Sequence, residues 1–357
     1  MLRAIEQKNG RVLILDQSEL PHKIKDIKCT RWEEVASCIK ELKIRGAPAI
    51  GIAAAMGLAL GAQPVRASGY EAFMRKLAPV FEGILSTRPT AVNIRWALDR
   101  QKKLLIKGKN KTIGELKELL SREAQKILDE DIEVNKSIGK WGARFIKNGD
   151  VVLTHCNAGA LATGGYGTAT AAIFTAWEQG KKIHVVVDET RPVLQGARLT
   201  ALEMKEAGIP MTLITDNCAG ALMRRGEIDL AIVGTDRTAR NGDVANKIGT
   251  YTVAVLAREN GIPFYVAAPM SSIDFTIRSG DLIPIEERDP CEVCSIKGVR
   301  IAPEGVSARN MAFDVTPAKY VTAIITELGA FRPNDIKKLN DIKKLNGKGT
   351  NLKKIRV

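Results

Sequence analysis

No stretch of this 357-residue sequence carries the roughly 18 consecutive apolar residues that a membrane-crossing helix needs. The opening MLRAIEQKNGR lacks the apolar core of a secretory signal, so a cytoplasmic protein is expected. Cysteine is sparse: Cys29, Cys38, Cys156, Cys218, Cys291 and Cys294 are scattered, far below the density of a secreted disulfide scaffold. Cys291-x-x-Cys294 has neither a nearby histidine nor a second such pair, whereas a zinc site wants four ligands. A disulfide or redox pair and two unlinked thiols both stay open for it. Aromatic residues make up only 5% and do not interleave with the basic runs, which argues against single-strand nucleic-acid binding. The glycine-rich GALATGGYG is neither a dinucleotide fingerprint in register nor a P-loop.

What is present describes a globular chain long enough for two domains: 45% hydrophobic and 26% charged residues. The formal charge is +14, and residues 334–357 hold eight basic residues against two acids, including a tandem DIKKLN. A second basic cluster, KKLLIKGKNK, occupies residues 102–111. Charge runs of this kind are usually solvated surface. The other reading is a contact with RNA or an acidic partner.

Two textures follow one another. Up to about residue 148, helices dominate after a short strand at residues 11–16. Thr30 is placed to cap a helix running through Ile44, with Glu33 as its capping-box partner. Pro48 fits the first turn of the alanine-rich AIGIAAAMGLAL. Thr90 opens another helix, and residues 112–145 have the spacing of a long one. From Val151, apolar runs (VVLTH, IHVVVD, MTLIT, LAIVG, FYVAA, YVTAIITE) alternate with helical stretches, the pattern of a parallel sheet covered on both faces. The fold class is therefore α/β. A mainly helical N-terminal domain with a small β element (1–148) precedes a doubly wound, Rossmann-like domain (149–333) and a basic tail (334–357).

Ligands of such sheets bind beyond the carboxyl ends of the strands. Five successive ends are polar or reactive: His155-Cys156-Asn157, Asp188-Glu189-Thr190, Asp216-Asn217, Asp236-Arg237 and Ser271-Ser272. Five in a row predict a reaction chamber without naming a reaction. Cys156 precedes the glycine-rich turn, whose backbone N–H groups and helix start would surround an anion and lower the thiol pKa. Otherwise it is an inert, buried small residue. Asp236, just past an apolar strand, would be half-buried with a raised pKa, suited to a general acid or base. Its plainer role is a turn former, which better suits Asp243. Asn246 and Lys247, near a helix start, suit a phosphate or sugar hydroxyl. Arg45 and Arg88 each precede a helix start and favour a phosphate-bearing ligand.

IRGAPAIGIAAA, STRPTAVNIRWAL, THCNAGALATGGYGTA, DETRPVLQGARLTALE, ITDN, GTDRTARNGDVANKIGTY and FYVAAPMSSID together resemble the methylthioribose-1-phosphate isomerase family, in order and along most of the chain. The wider superfamily also holds ribose-1,5-bisphosphate isomerase and the regulatory alpha, beta and delta subunits of the translation-initiation guanine-nucleotide exchange factor. The resemblance implies conversion of 5-methylthioribose 1-phosphate to 5-methylthioribulose 1-phosphate in methionine salvage. It implies a catalytic pair, Cys156 and Asp236, and substrate contacts at Arg45, Gly46, Ala47, Arg88, Gln195, Asn246 and Lys247. It also implies a homodimer with no metal and no nucleotide cofactor. The Cys291/Cys294 motif and the basic tail depart from the family pattern.

Overall fold

Alternating apolar residues near the N-terminus give three short strands, β1 (Ile5–Lys8), β2 (Arg11–Leu15) and β3 (Asp26–Cys29), paired antiparallel in that order. Only the middle strand is expected from the sequence. Helices α1 (Trp32–Lys40), α2 (Ala47–Ala62), α3 (Tyr70–Leu85), α4 (Val92–Lys107) and α5 (Ile113–Gly142) follow. The computed structural model describes residues 2–89 and 91–344.

Helix α2 is apolar on every face, and such a helix must be enclosed. It is buried continuously from Ala49 to Ala62, among Val35, Ile39, Phe73, Leu77, Ile84 and Ile94 of the surrounding helices. Two sequence expectations about α1 are corrected. The carboxylate that accepts the Thr30 and Arg31 amides belongs to Glu34, not Glu33, at 2.6 and 3.0 Å. The helix also stops at Lys40, because Leu42 turns into the left-handed region at φ 57°. For α5 the expected start is met: Thr112 and Glu115 bond reciprocally, the Thr112 amide to Glu115 at 2.7 Å and the Glu115 amide to Thr112 Oγ1 at 3.3 Å. Thr90, the expected opener of α4, lies outside the described residues.

By packing, residues 2–133 together with 160–167 make one compact unit, and residues 134–159 and 168 onward make the other. The division thus falls inside α5 rather than at residue 148. A single 30-residue helix is shared, and its last turns face Thr175 and Ala172 of the second unit through Gly139 and Gly142. The glycine-rich segment 160–167 belongs to the first unit.

The second unit contains β4 (Val151–Thr154), α6 (Ala169–Glu178), β5 (His184–Asp188), α7 (Ala201–Glu206), β6 (Met211–Ile214), α8 (Ala219–Arg224) and β7 (Leu230–Val233). It continues with β8 (Arg237–Ala239), β9 (Val244–Lys247), α9 (Thr250–Glu259), β10 (Phe264–Ala267), β11 (Ile273–Asp274), α10 (Cys291–Cys294), β12 (Ser295–Ile296) and β13 (Val299–Arg300). It ends with β14 (Phe313–Thr316), β15 (Ala323–Thr326), β16 (Gly329–Phe331) and α11 (Leu339–Lys344).

The main sheet has the order β16-β15-β10-β7-β4-β5-β6. All its pairings are parallel except that of β15 with β16. The chain starts at β4, winds outward through β5 and β6, then returns past β4 to β7, β10 and β15. This is the doubly wound order, and its switch point lies between β4 and β7. A second sheet, β11-β8-β9-β14, is not foreseen by the sequence reading. Its strands are only two to four residues long, too short to register as periodic.

The thiols of Cys291 and Cys294 are both free, Cys291 exposed and Cys294 buried. The lysines of residues 102–111 point into solvent. The supposed tail begins differently. Residues Pro333–Lys338 form a 3-10 turn leading into α11, and Ile336 and Leu339 are fully buried beside Phe264, Ile324 and Phe331. The first DIKKLN is therefore part of the core, because its Ile and Leu stand three apart and face inward together while its lysines do not. Residues 345–357 lie outside the described residues. Ile336→Ala should lower stability by about 2–5 kcal/mol, read as a clear drop in melting temperature.

Candidate active site

Cys156 and Asp236 follow the two strands that flank the switch point, β4 and β7. The strands are neighbours, and Thr154 Oγ1 donates to the Ile232 carbonyl at 2.8 Å across them. Beyond the strands the two turns stay close: a Cβ on Gly234 would stand 2.6 Å from the Ala158 methyl. Both Cys156 and Asp236 are half-buried. The Asp236 amide donates to the Ala245 carbonyl at 3.0 Å, which turns the chain from β7 into the small sheet.

Cys156 has φ 65° and Thr190, after β5, has φ 67°. A left-handed conformation is uncommon for any residue with a Cβ and a genuine outlier for a β-branched one. Each such residue costs on the order of 1–3 kcal/mol and persists only where its surroundings dictate it. Here they do. The Cys156 amide donates to Thr190 Oγ1 at 2.8 Å, and Thr200 Oγ1 donates to the Cys156 carbonyl at 2.6 Å. The Thr190 and Arg191 amides both donate to the Asp216 carboxylate, each at 2.7 Å. Asn157 donates to Thr200 Oγ1 and to the buried Glu203 carboxylate, at 3.1 and 2.9 Å.

Beneath Cys156 lies a buried pair whose members the sequence reading places at two of the polar strand ends, without pairing them. His155 Nε2 faces the Ile248 carbonyl at 2.8 Å, and Nδ1 faces Asp188 Oδ2 at 2.9 Å. A carbonyl only accepts, so Nε2 carries a proton, and a second proton lies between Nδ1 and the carboxylate. Burial alone would push the His155 pKa down, but the Asp188 hydrogen bond and charge outweigh it and raise the pKa above its ordinary value. Burial likewise raises that of Asp188. Both shifts favour keeping the shared proton. Gly249, at φ 101°, packs so close that a Cβ there would stand 2.8 Å from the imidazole.

Among the described residues, His155, Asp188 and Asp216 are the one cluster with metal-ligand types within 4.8 Å. Both imidazole nitrogens are engaged, and both Asp216 oxygens hold backbone amides. The cluster is built as a proton-bearing hydrogen-bond network, not as a cation cradle.

The remaining sequence-named residues divide between the units. Gln195, Asn246 and Lys247 belong to the second unit. Gln195 is buried with its Oε1 unpartnered, just before a π-helical turn at Gly196–Thr200. Asn246 donates to Thr250 Oγ1 at 2.9 Å. Lys247 is buried, donates to the Ala312 carbonyl at 2.9 Å and lies 4.7 Å from the centre of the Phe313 ring. Arg45, Gly46, Ala47 and Arg88 belong to the first unit. Gly46 caps α2 at φ 93°, and a Cβ there would stand 2.4 Å from the Ala162 carbonyl oxygen. Arg88 lies in the turn before α4.

Five amides in and just after the glycine-rich segment have protein partners. The Gly164 amide donates to Asp131, and those of Gly165 and Gly167 donate to Thr163 Oγ1. The Thr168 and Thr170 amides take the Ala158 carbonyl. The amides of Gly165, Gly167, Thr168 and Thr170 thus hold the loop's own shape, and that of Gly164 ties the loop to α5. Sequence reasoning also missed the roles of Thr190, Thr200 and Asp216. Thr190 and Asp216 had one signal, position at polar strand ends, and Thr200 had none.

The buried pair has a pH signature. Above the unfolded histidine pKa of about 6.5, the folded chain holds a proton that the unfolded chain has lost, so stability falls as pH rises. The pair's contribution is full just below that pH and is lost as pH climbs through the raised folded pKa. Melting temperatures at pH 6, 7, 8 and 9 should decline for the native chain. His155→Gln should melt lower at pH 6 and show a flatter alkaline slope.

Comparison with known proteins agrees with this architecture. The Initiation factor 2 subunit family matches residues 43–333. A methylthioribose-1-phosphate isomerase of Geotalea uraniireducens is 53% identical over 337 residues, 94% of this chain and 97% of its own. The crystal structure of 5-methylthioribose 1-phosphate isomerase from Pyrococcus horikoshii OT3 superposes with a TM-score of 0.89 at 47% identity, covering 97% of both chains. The crystal structure of the translation initiation factor eIF-2B, subunit delta, from A. fulgidus superposes with a TM-score of 0.85 at 44% identity, covering 97% of this chain and 100% of that one. The chain belongs to the Initiation factor 2 subunit family, among its isomerases.

Proposed function

We propose that this isomerase converts 5-methylthioribose 1-phosphate to 5-methylthioribulose 1-phosphate, with Cys156 and Asp236 as its acid–base pair. The observation that carries the reading is the position of these two residues after the neighbouring strands β4 and β7, at the switch point where doubly wound sheets bind ligands. The names of relatives more than half identical over nine-tenths of the chain supply the substrate. The family resemblance adds a cytoplasmic homodimer acting in methionine salvage.

The substrate's phosphate sits on its anomeric oxygen, so the sugar cannot open spontaneously to a free aldehyde. Asp236, as the acid, protonates the ring oxygen while the anomeric C–O ring bond breaks. Hydrogen then moves from the neighbouring carbon to the anomeric carbon. Cys156, as a thiolate, removes the hydrogen of that neighbouring carbon as a proton to leave an enol, then protonates the anomeric carbon, while the neighbouring hydroxyl gives its proton to the Asp236 carboxylate and becomes the ketone. In the competing route a hydride shifts directly, and the two residues only manage charge. Gln195 supports binding of sugar hydroxyls, since its buried Oε1 has hydrogen-bonding capacity left over. Asn246 and Lys247 are read as further polar contacts of the same unit. Arg45, Gly46, Ala47 and Arg88 remain the candidates for holding anionic oxygen at helix starts.

Cys156→Ser and Asp236→Asn should each lower turnover by about 10² to 10⁴ with the fold intact. The assay should offer both 5-methylthioribose 1-phosphate and ribose 1,5-bisphosphate. Cys156-dependent turnover of the first alone supports the proposal, and turnover of the second alone moves the enzyme to another substrate. Near-native activity of either variant removes that residue from the mechanism. Run in D2O, deuterium appearing at the anomeric carbon of the product rules out a strictly intramolecular hydride shift.

A further inference from the structure

We propose that Thr190, locked in place by Asp216, is the positioning residue that aims the Cys156 thiol. The inference rests on the reading of Cys156 as the reacting group, and it concerns residues that lie wholly within the second unit.

Three observations carry it. First, the Cys156 backbone is gripped at both ends by hydroxyls: its amide donates to Thr190 Oγ1 at 2.8 Å and its carbonyl accepts from Thr200 Oγ1 at 2.6 Å. The left-handed turn at Cys156 takes its side chain out of the in-and-out alternation of β4, so whatever holds that turn also sets the direction of the thiol. Second, Thr190 is fully buried, and its hydroxyl proton is already committed to the Asp188 carbonyl at 3.1 Å. The Oγ1 lone pair is thereby turned toward the Cys156 amide. Third, Thr190 itself is left-handed, a conformation that glycine adopts freely and a β-branched residue resists. A glycine could make the turn but has no hydroxyl to offer. The Asp216 carboxylate holds the unfavourable conformation by accepting the Thr190 and Arg191 amides, one on each oxygen.

The chain of command therefore runs from a carboxylate after β6, through a strained threonine after β5, to the thiol after β4. Three neighbouring strand ends act as one device. Thr190 and Asp216 need not touch the substrate for this role.

The test compares Thr190→Val, which keeps the shape and removes the hydroxyl, with Thr190→Ser, which keeps the hydroxyl. Val should lower kcat by about tenfold to a hundredfold, with KM changed by no more than about threefold. Ser should recover most of kcat. In parallel, iodoacetamide modification of Cys156, followed by peptide mass, reads the thiol without turnover. Its rate should change in the Val variant and return in the Ser variant. Native kcat in the Val variant, or equal loss in Val and Ser, overturns the proposal. Should the Val variant not fold, Asp216→Asn decides, since an amide can accept only one of the two backbone donors; unaltered kcat and alkylation there overturn it. Cys156→Ser serves as the control. If it retains activity, the catalytic reading of Cys156 fails by itself, while the alkylation rates still report whether Thr190 orients the thiol.

Discussion

Everything at the candidate site depends on the strands of one sheet running the same way. A parallel sheet covered on both faces gathers the carboxyl ends of its strands along one edge. There the chain must leave the sheet repeatedly, and each exit frees backbone groups that need partners. In this chain neighbouring exits largely satisfy one another. Asp216 after β6 holds the amides after β5, Thr190 after β5 holds the amide after β4, and the Thr154 hydroxyl reaches the carbonyl of Ile232 in β7. A polar net is thus a structural necessity of this edge, and the proposed chemistry uses a net that the fold needs anyway.

Much of this was legible in the sequence because burial leaves a strong pattern. The six parallel strands are near-continuous apolar runs, and α2 is apolar on every face, so both stand out without a partner structure. Cys156 and Asp236 could be singled out because both sit where such runs end. Strand order could not be read this way, since no local pattern encodes which strand lies beside which. The switch point between β4 and β7 therefore became visible only in three dimensions. The small sheet β11-β8-β9-β14 escaped because two to four residues are too few to show a period. The roles of Thr190 and Asp216 escaped because they rest on a backbone conformation that residue type argues against.

The His155–Asp188 pair illustrates how stability and site share residues. A buried ion pair seldom stabilises more than well-packed apolar residues would, whereas breaking one leaves an uncompensated charge. Here the pair is fixed further by the Ile248 carbonyl and by Gly249, whose missing side chain makes room for the ring. The segment leading to Cys156 is anchored from below by this pair and from the side by Thr190. In the proposed reaction, a thiol on so constrained a turn would need little reorganisation.

The tandem DIKKLN has a consequence of its own. Its first copy supplies Ile336 and Leu339 to the core, and its second repeats the same six letters immediately afterwards. Removing either copy from the gene would yield one and the same polypeptide, still reading RPNDIKKLN through the buried positions. The second copy supplies Asp341–Lys344 to α11, so losing one copy would bring Gly347 directly after Asn340 and cut that helix short while leaving Ile336 and Leu339 in the sequence.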